Sequence, residues 1–271
     1  MRVFEKFVLF ALCLGLASPA MALDGSESPA GVKPPMPLFQ TPLHALNEAI
    51  VGLRAGDSAF SIEALKYAAA GGQSLAQWKL ARMYASGEGV PHDDAKAYDY
   101  FLQIVSNYDE DTLSRREMGI VASAYVAVGI YALNGLPQIK MKPDVFRAHE
   151  LFQFAASTFG DPNAQYNLAR IYLDGVGIKK DPRQAAGWLV LAADKNHLES
   201  QALLGNLLFT GQGVQRQRAK GLMFLTLAIE NAGDDPKNAW VAELHDKALK
   251  VASDSERQSA ANMLTDYVTR R

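Results

Sequence analysis

The chain has 271 residues, of which 49% are apolar, and a formal net charge of −2. That apolar share is ordinary for a packed globular or repeat protein. Near-neutral charge, with no basic tail and no module of interleaved aromatic and basic residues, argues against nucleic acid or an acidic membrane surface as the ligand.

The N-terminus reads as an address label. Arg2 and Lys6 give a positive start, an apolar run extends from Phe7 to Ala17, Ser18-Pro19 breaks it, and Ala20-Met21-Ala22 fits a small-x-small cleavage site. The run is too short to span a bilayer, so residues 1–22 read as a secretory signal peptide cleaved after Ala22, which places the mature chain in the periplasm. The only cysteine, Cys13, lies inside this signal, and Leu12 precedes it where a lipoprotein signal needs a small residue. The mature chain then has no cysteine, which excludes disulfides, thiolate metal sites and a cysteine nucleophile. No later stretch reads as a transmembrane segment. Residues 23–42, rich in Pro, Gly and Ser, read as a disordered segment.

Leu43–Leu53 and Ser58–Ala70 form a degenerate helix pair, within 43–70. Self-similarity then organises the chain. Gln77, Leu80-Ala81, Tyr84, Gly87 and Gly89-Val90 recur as Gln165, Leu168-Ala169, Tyr172, Gly175 and Gly177, and again as Gln201, Leu204-Gly205, Gly211 and Gly213-Val214. The last two copies stand 36 residues apart, Gln165 to Gln201, the length of a helix–turn–helix unit. The clear copies cover 74–106, 162–195 and 198–231.

One copy shows why the pattern folds. Asp161-Pro162 supplies an N-cap and a proline at the first helical position, and Leu168, Ile171 and Tyr172 follow at helical spacing. Gly175 ends the helix in a left-handed cap and Gly177 lets the chain reverse. Asp181-Pro182 opens a second helix that carries Ala185, Trp188, Leu189, Ala192 and Ala193 inward. A looser copy at 117–158 has a first helix Val121–Leu133, a glycine at 135, a longer loop Leu136–Lys142, and a second helix behind Pro143-Asp144. Ser106–Arg116, with Asp109-Glu110-Asp111, reads as an enlarged loop, and Ala239–Val251 with Ser255–Val268 form a final degenerate pair within 238–269. The expected fold is all-α: a right-handed superhelical solenoid of about six helix–turn–helix hairpins over 43–271, with atypical ends as caps.

The glycines Gly87, Gly89, Gly175, Gly177, Gly211 and Gly213 are structural repeat residues. No strand precedes these GxG pairs, so a phosphate cradle is a poor reading. Arg82, Arg170 and Asn206 share one register, as do Gln77, Gln165 and Gln201, and stacking lays each set out as a ladder along the first helices. Such ladders either contact a partner or bond within the fold. The loops after the glycines carry Lys140 and Lys142, Lys179 and Lys180, and Arg216 and Arg218, which form either a basic stripe for an acidic partner or polyanionic glycan, or an ordinary solvated edge. The histidines His44, His92, His149, His197 and His245 do not follow the 36-residue period; they are scattered solvated or capping residues, or acid sensors. Ser86 and Ser157 lack a visible His/Asp logic, and Trp78, Trp188 and Trp240 read as packing residues. No catalytic residue, cofactor or metal site is expected.

These copies resemble the Sel-one-like repeat, a relative of the tetratricopeptide repeat. The fit is carried by the Gln, Leu-small, aromatic and Gly-x-Gly-Val positions above, together with Asp181, Trp188 and Ala192-Ala193; the last copy departs with Leu208 for the aromatic and Arg218 for the proline after the capping residue. The signal peptide, the Pro-rich start, the segment 136–144 and the ending Tyr267–Arg271 are further similar to the ExoR family of periplasmic exopolysaccharide regulators in α-proteobacteria. That resemblance implies a negative regulator that binds the periplasmic domain of a sensor histidine kinase of a two-component system, holds it inactive, and is removed by a periplasmic protease on acidification, switching exopolysaccharide, motility and envelope genes. The competing reading is a periplasmic scaffold for envelope or exopolysaccharide assembly. An enzyme is disfavoured because the cysteine pairs of β-lactamase-like relatives are missing here. N-terminal sequencing of exported material is expected to begin at Leu23; a reading of Met1-Arg2 overturns the export argument.

Overall fold

The computed structural model describes residues 39–270 apart from 112–113; the signal segment 1–22 and residues 23–38 of the Pro-rich segment lie outside the described residues. The described residues form twelve α-helices: α1 Pro42–Ala55, α2 Ser58–Ala70, α3 Ser74–Ser86, α4 Asp94–Ser106, α5 Arg115–Asn134, α6 Val145–Phe154, α7 Pro162–Asp174, α8 Pro182–Ala193, α9 Leu198–Thr210, α10 Arg218–Ala232, α11 Ala239–Val251 and α12 Asp254–Thr269. Helices α1 to α10 pair as five successive hairpins, and the second helix of each packs on the first helix of the next, giving an all-α solenoid.

Helix starts follow local chemistry. Asp57, Asp93, Asp144, Asp161 and Asp181 each accept a backbone N–H of the first turn that has no partner within the helix. Ser114 and Glu117 form a reciprocal capping box, which is why α5 begins six residues before the expected Val121. Inside each hairpin, the N–H ahead of the second helix donates to a first-helix carbonyl: Asp93 to Tyr84, Asp181 to Tyr172 and Gln217 to Leu208, all at 2.9 Å. In the third hairpin the same bond runs from Asp144 to Ala132 at 2.7 Å, and the extra loop length folds into a 3-10 turn, Pro137–Ile139, closed by the Leu136–Met141 bridge.

Junctions between hairpins use a buried amide. The side chains of Gln77 and Gln201 donate to the Ala69 and Ala193 carbonyls of the preceding second helix at 3.2 Å. Gln165 makes the equivalent bond to Ala156 at 3.5 Å, across a single π-helical turn, Ala155–Phe159, that shifts the chain by one residue. Gln77 and Gln201 find second partners in Gln103 and Asn231, whereas Oε1 of Gln165 is buried without a protein partner. The glutamine ladder is therefore structural. Leu80, Leu168 and Leu204 lie beside it in a common register, each fully buried and each contributing roughly 2 kcal/mol of hydrophobic burial.

Three expectations need correction. The folded unit starts before residue 43: Phe39 is buried against Phe60 and Tyr67, Thr41 caps α1, and Pro42 occupies its first turn. Helix α5 does contain a window long and apolar enough to cross a membrane, Glu117–Asn134 with mean hydropathy 1.3. The window is interrupted by Gly119, Ser123 and Gly129 and so does not stand out as a run, and α5 packs between α4 and α6 with Val121, Ala124 and Val128 buried. The final pair is not a hairpin of the repeat type: α11 and α12 each pack on α10 instead of on one another. Tyr267 meets Phe224 edge-on at 5.9 Å, and Arg218 pairs with Glu256 at 3.2 Å, so the better apolar and charged partners of α12 are on α10.

The glycine loops lock the stack. Gly175 has φ +71°, and a Cβ there would lie 2.7 Å from the Lys180 Cβ. Gly175→Val is expected to destabilise the protein by more than about 1 kcal/mol, because a β-branched residue is strained at positive φ; an unchanged melting curve overturns this reading of the cap.

Candidate partner-binding clefts

Helices α3, α7 and α9 each end in a left-handed glycine and a short loop that leans back over the preceding hairpin. A Cβ on Gly177 would meet Val145 of α6 at 3.2 Å, and one on Gly213 would meet Pro182 of α8 at 2.5 Å. The loop thus sits on the start of the previous second helix and leaves an open cleft between neighbouring first helices. The cleft recurs in register. Between α1 and α3 it is formed by Leu53, Ser58, Lys79, Arg82, Met83 and Glu88. Between α5 and α7 the corresponding residues are Leu133, Val145, Asn167, Arg170, Ile171 and Val176. Between α7 and α9 they are Leu173, Pro182, Leu203, Asn206, Leu207 and Gln212. Arg82, Arg170 and Asn206 therefore occupy one structural position on the walls of three equivalent clefts.

Their surroundings differ. The Arg82 guanidinium lies 4.8 Å from the centre of the Trp78 ring, whose Nε1 donates to Ser123. Arg170 faces Asp174 at 3.9 Å, with both side chains more than half exposed. Asn206 is half-buried. The basic loop residues separate into two groups. Lys140, Lys142, Lys179 and Lys180 are exposed, Lys140 with φ +57° at the tip of the long loop. Arg216 donates to the Thr210 carbonyl. Arg218 is committed to the C-terminal cap: it stacks on Phe209 at 4.8 Å, pairs with Glu256, and donates to the Val251 carbonyl. The sequence put it in a solvent stripe because α12 is distant along the chain.

A family model described as Sel1 repeat matches residues 74–107, 122–157, 162–197 and 198–232. The chain belongs to the Sel1-repeat family. It is 31% identical over 269 residues to an exopolysaccharide production negative regulator of Rhizobium leguminosarum bv. viciae, covering 97% of this chain and 95% of the relative. The like-named protein of Rhizobium meliloti (strain 1021) is 30% identical over 264 residues, covering 97% and 93%. These matches support a regulatory role. Among solved structures, a protective antigen of uropathogenic Escherichia coli strains with an SLR fold superposes with a TM-score of 0.67 at 23% identity; the match covers 84% of this chain and under half, 46%, of the antigen. A Sel1 repeat protein of Oxalobacter formigenes gives 0.59 at 22%, covering 78% and 89%. The structural likenesses show the repeat fold, and Sel1 repeats build protein-interaction scaffolds.

The histidines take separate positions. His92 bonds the Ala85 carbonyl and Asp94 in its own hairpin. His149 lies 2.8 Å from the Tyr172 hydroxyl, linking α6 to α7, and burial pushes its pKa below the ordinary value against the opposing pull of Glu150. His197 is the N-cap of α9, at the register position that Asp161 fills one repeat earlier, a signal present in the sequence. Its Nδ1 accepts the Ser200 N–H at 3.2 Å, which leaves the proton on Nε2, 3.2 Å from Asn163 Oδ1 of α7. Burial lowers the pKa of His197, with Glu199 and Asp161 opposing.

A protonated Nδ1 cannot accept the capping bond. Because both folded-state pKa values lie below the unfolded value of about 6.5, these histidines contribute stability that is present above that pH and is lost as pH falls through the folded values. Urea midpoints are expected to decline from about pH 6.5 downward. His197→Ser keeps a capping oxygen without titrating and is expected to reduce that acid loss by about 1 kcal/mol; an identical pH profile in this variant removes His197 from the account.

Proposed function

We propose that this chain is a periplasmic negative regulator that binds the periplasmic domain of a sensor histidine kinase and holds it inactive, so restraining a two-component system for exopolysaccharide synthesis and envelope or motility genes. One observation carries the reading: the chain aligns almost end to end with proteins named as negative regulators of exopolysaccharide production. The geometry is consistent with it, since the recurring clefts present Arg82, Arg170 and Asn206, and the loops present Lys140, Lys142, Lys179 and Lys180, as side chains able to engage a protein surface.

Release by a periplasmic protease in acid fits the same structure. In a stacked array each hairpin is held only by its neighbours, so weakening one junction opens the chain locally. The α6/α7 junction has the longest glutamine bond and an unpartnered amide oxygen, and His149 and His197 connect α7 to the helices on either side.

Affinity capture from the periplasm, followed by mass spectrometry, tests the function directly. A sensor kinase is expected to be retained near neutral pH and lost in mild acid, and loss of this chain is expected to switch that kinase on. Recovery of polymer-export components alone overturns the reading. Substituting His92, His149 and His197 together with Gln is expected to blunt acid release; unchanged degradation at the same pH assigns acid sensing elsewhere.

A further inference from the structure

The clefts over α5/α7 and α7/α9 are consecutive and share Asp174 on their common border. We propose that together they form one docking groove for an extended acidic segment of the partner, bound in a polyproline-II conformation with apolar side chains three residues apart. This rests on the partner-binding reading above and adds the place and the chemistry of contact.

Shape sets the spacing. The two clefts lie on either side of α7, and a helix with its side chains is about 10–12 Å across. Three residues of polyproline II cover about 9 Å and return the side chain to the same face. In a β-strand the third residue points the opposite way. Each cleft has an apolar floor, Leu133 and Ile171 in the first, Leu173 and Leu207 in the second. Val176 stands at the mouth of the first, 68% exposed in a glycine loop where the other copies carry Glu88 and Gln212. An exposed valine at a position that is polar elsewhere in the same chain gives the apolar patch somewhere to meet a ligand.

Charge sets the sign. The two segments that contribute Val145, Arg170, Val176 and Lys180 to the groove, 136–147 and 170–183, carry seven basic side chains and three acidic ones along their length, in a chain whose total is −2. Asp144 and Asp181 already accept helix N–H groups, and Asp174 pairs with an exposed Arg170, an interaction that solvent weakens. The basic side chains at the apolar floors themselves are Arg170 and Lys180, both exposed. A polyanionic glycan complements the charge and leaves those floors empty; a peptide alternating leucine-like and carboxylate side chains complements both. The α1/α3 cleft is set apart because Glu88 replaces Val176 at its mouth and Arg82 is spent on Trp78.

Fluorescence anisotropy with the full mature chain tests the groove. The probe is a labelled peptide repeating Leu-Pro-Glu; the controls repeat Ser-Pro-Glu and Leu-Pro-Lys. Saturable binding of the first is expected, at least about 10-fold tighter than either control. Val176→Asp, and separately Arg170→Glu with Lys180→Glu, are expected to weaken it about 10-fold with unchanged thermal melting; the first restores a polarity already tolerated at residues 88 and 212. Equal binding of Ser-Pro-Glu shows a charge-only surface, such as a glycan site, and overturns the proposal, as does unaltered binding by both variants or no saturable binding of Leu-Pro-Glu. A kinase periplasmic domain retained equally by the parent and by Val176→Asp sinks the groove and leaves the partner reading standing. Failure of the parent to retain it sinks the partner reading.

Discussion

A glutamine amide, buried between hairpins and donating to the carbonyl of an alanine at or near the end of the previous second helix, fixes how one repeat sits on the next. Gln77, Gln165 and Gln201 do this at three junctions. The Ala69 and Ala193 carbonyls also accept a turn N–H, from Gly72 and Asn196, so the bond chiefly satisfies the buried glutamine amide, which unpaired would cost roughly 1–3 kcal/mol. The bond holds the N-terminal part of the first helix, and the glycine loop at its other end seats on the preceding second helix. With both ends held, the remaining freedom between adjacent hairpins is small. The clefts between first helices are the space left over by this arrangement, which is why they recur in register.

Recurrent geometry with changing side chains is how such an array acquires specificity. The same wall position is Arg82, Arg170 or Asn206, and the same mouth position is Glu88, Val176 or Gln212. The backbone supplies the spacing and each repeat supplies its own chemistry. The π-turn before α7 is the one place where the junction register slips by a residue, and the cost is visible in the long Gln165 bond and its bare oxygen. That junction has the weakest of the three glutamine staples by length, and two half-buried histidines tie α7 to its neighbours, His149 to α6 and His197 to α9.

Much of this was legible in the residues. The glycine pairs, the Asp-Pro starts and the helical spacing of Leu168, Ile171 and Tyr172 are local signals, set by φ preferences and capping within a few residues. The shared register of Arg82, Arg170 and Asn206 also came from the sequence, because a constant repeat length maps equal positions to equal places. His197 as an N-cap was available by the same logic, through its alignment with Asp161. Arg218 was misjudged for a different reason: its partner Glu256 follows it by 38 residues, and α12 departs from the repeat.

By itself, then, the sequence determined the helices, their caps, the reversals and the repeat period, because each rests on interactions within one turn or one hairpin. Only the tertiary structure decided that the glutamines staple carbonyls instead of facing a ligand, that α11 and α12 both lie on α10, and that Leu133, Val145 and Val176 converge with Arg170 around one cleft. Those outcomes depend on contacts between hairpins. Such contacts are settled by which apolar and polar surfaces meet when the units stack, and no local preference along the chain encodes them.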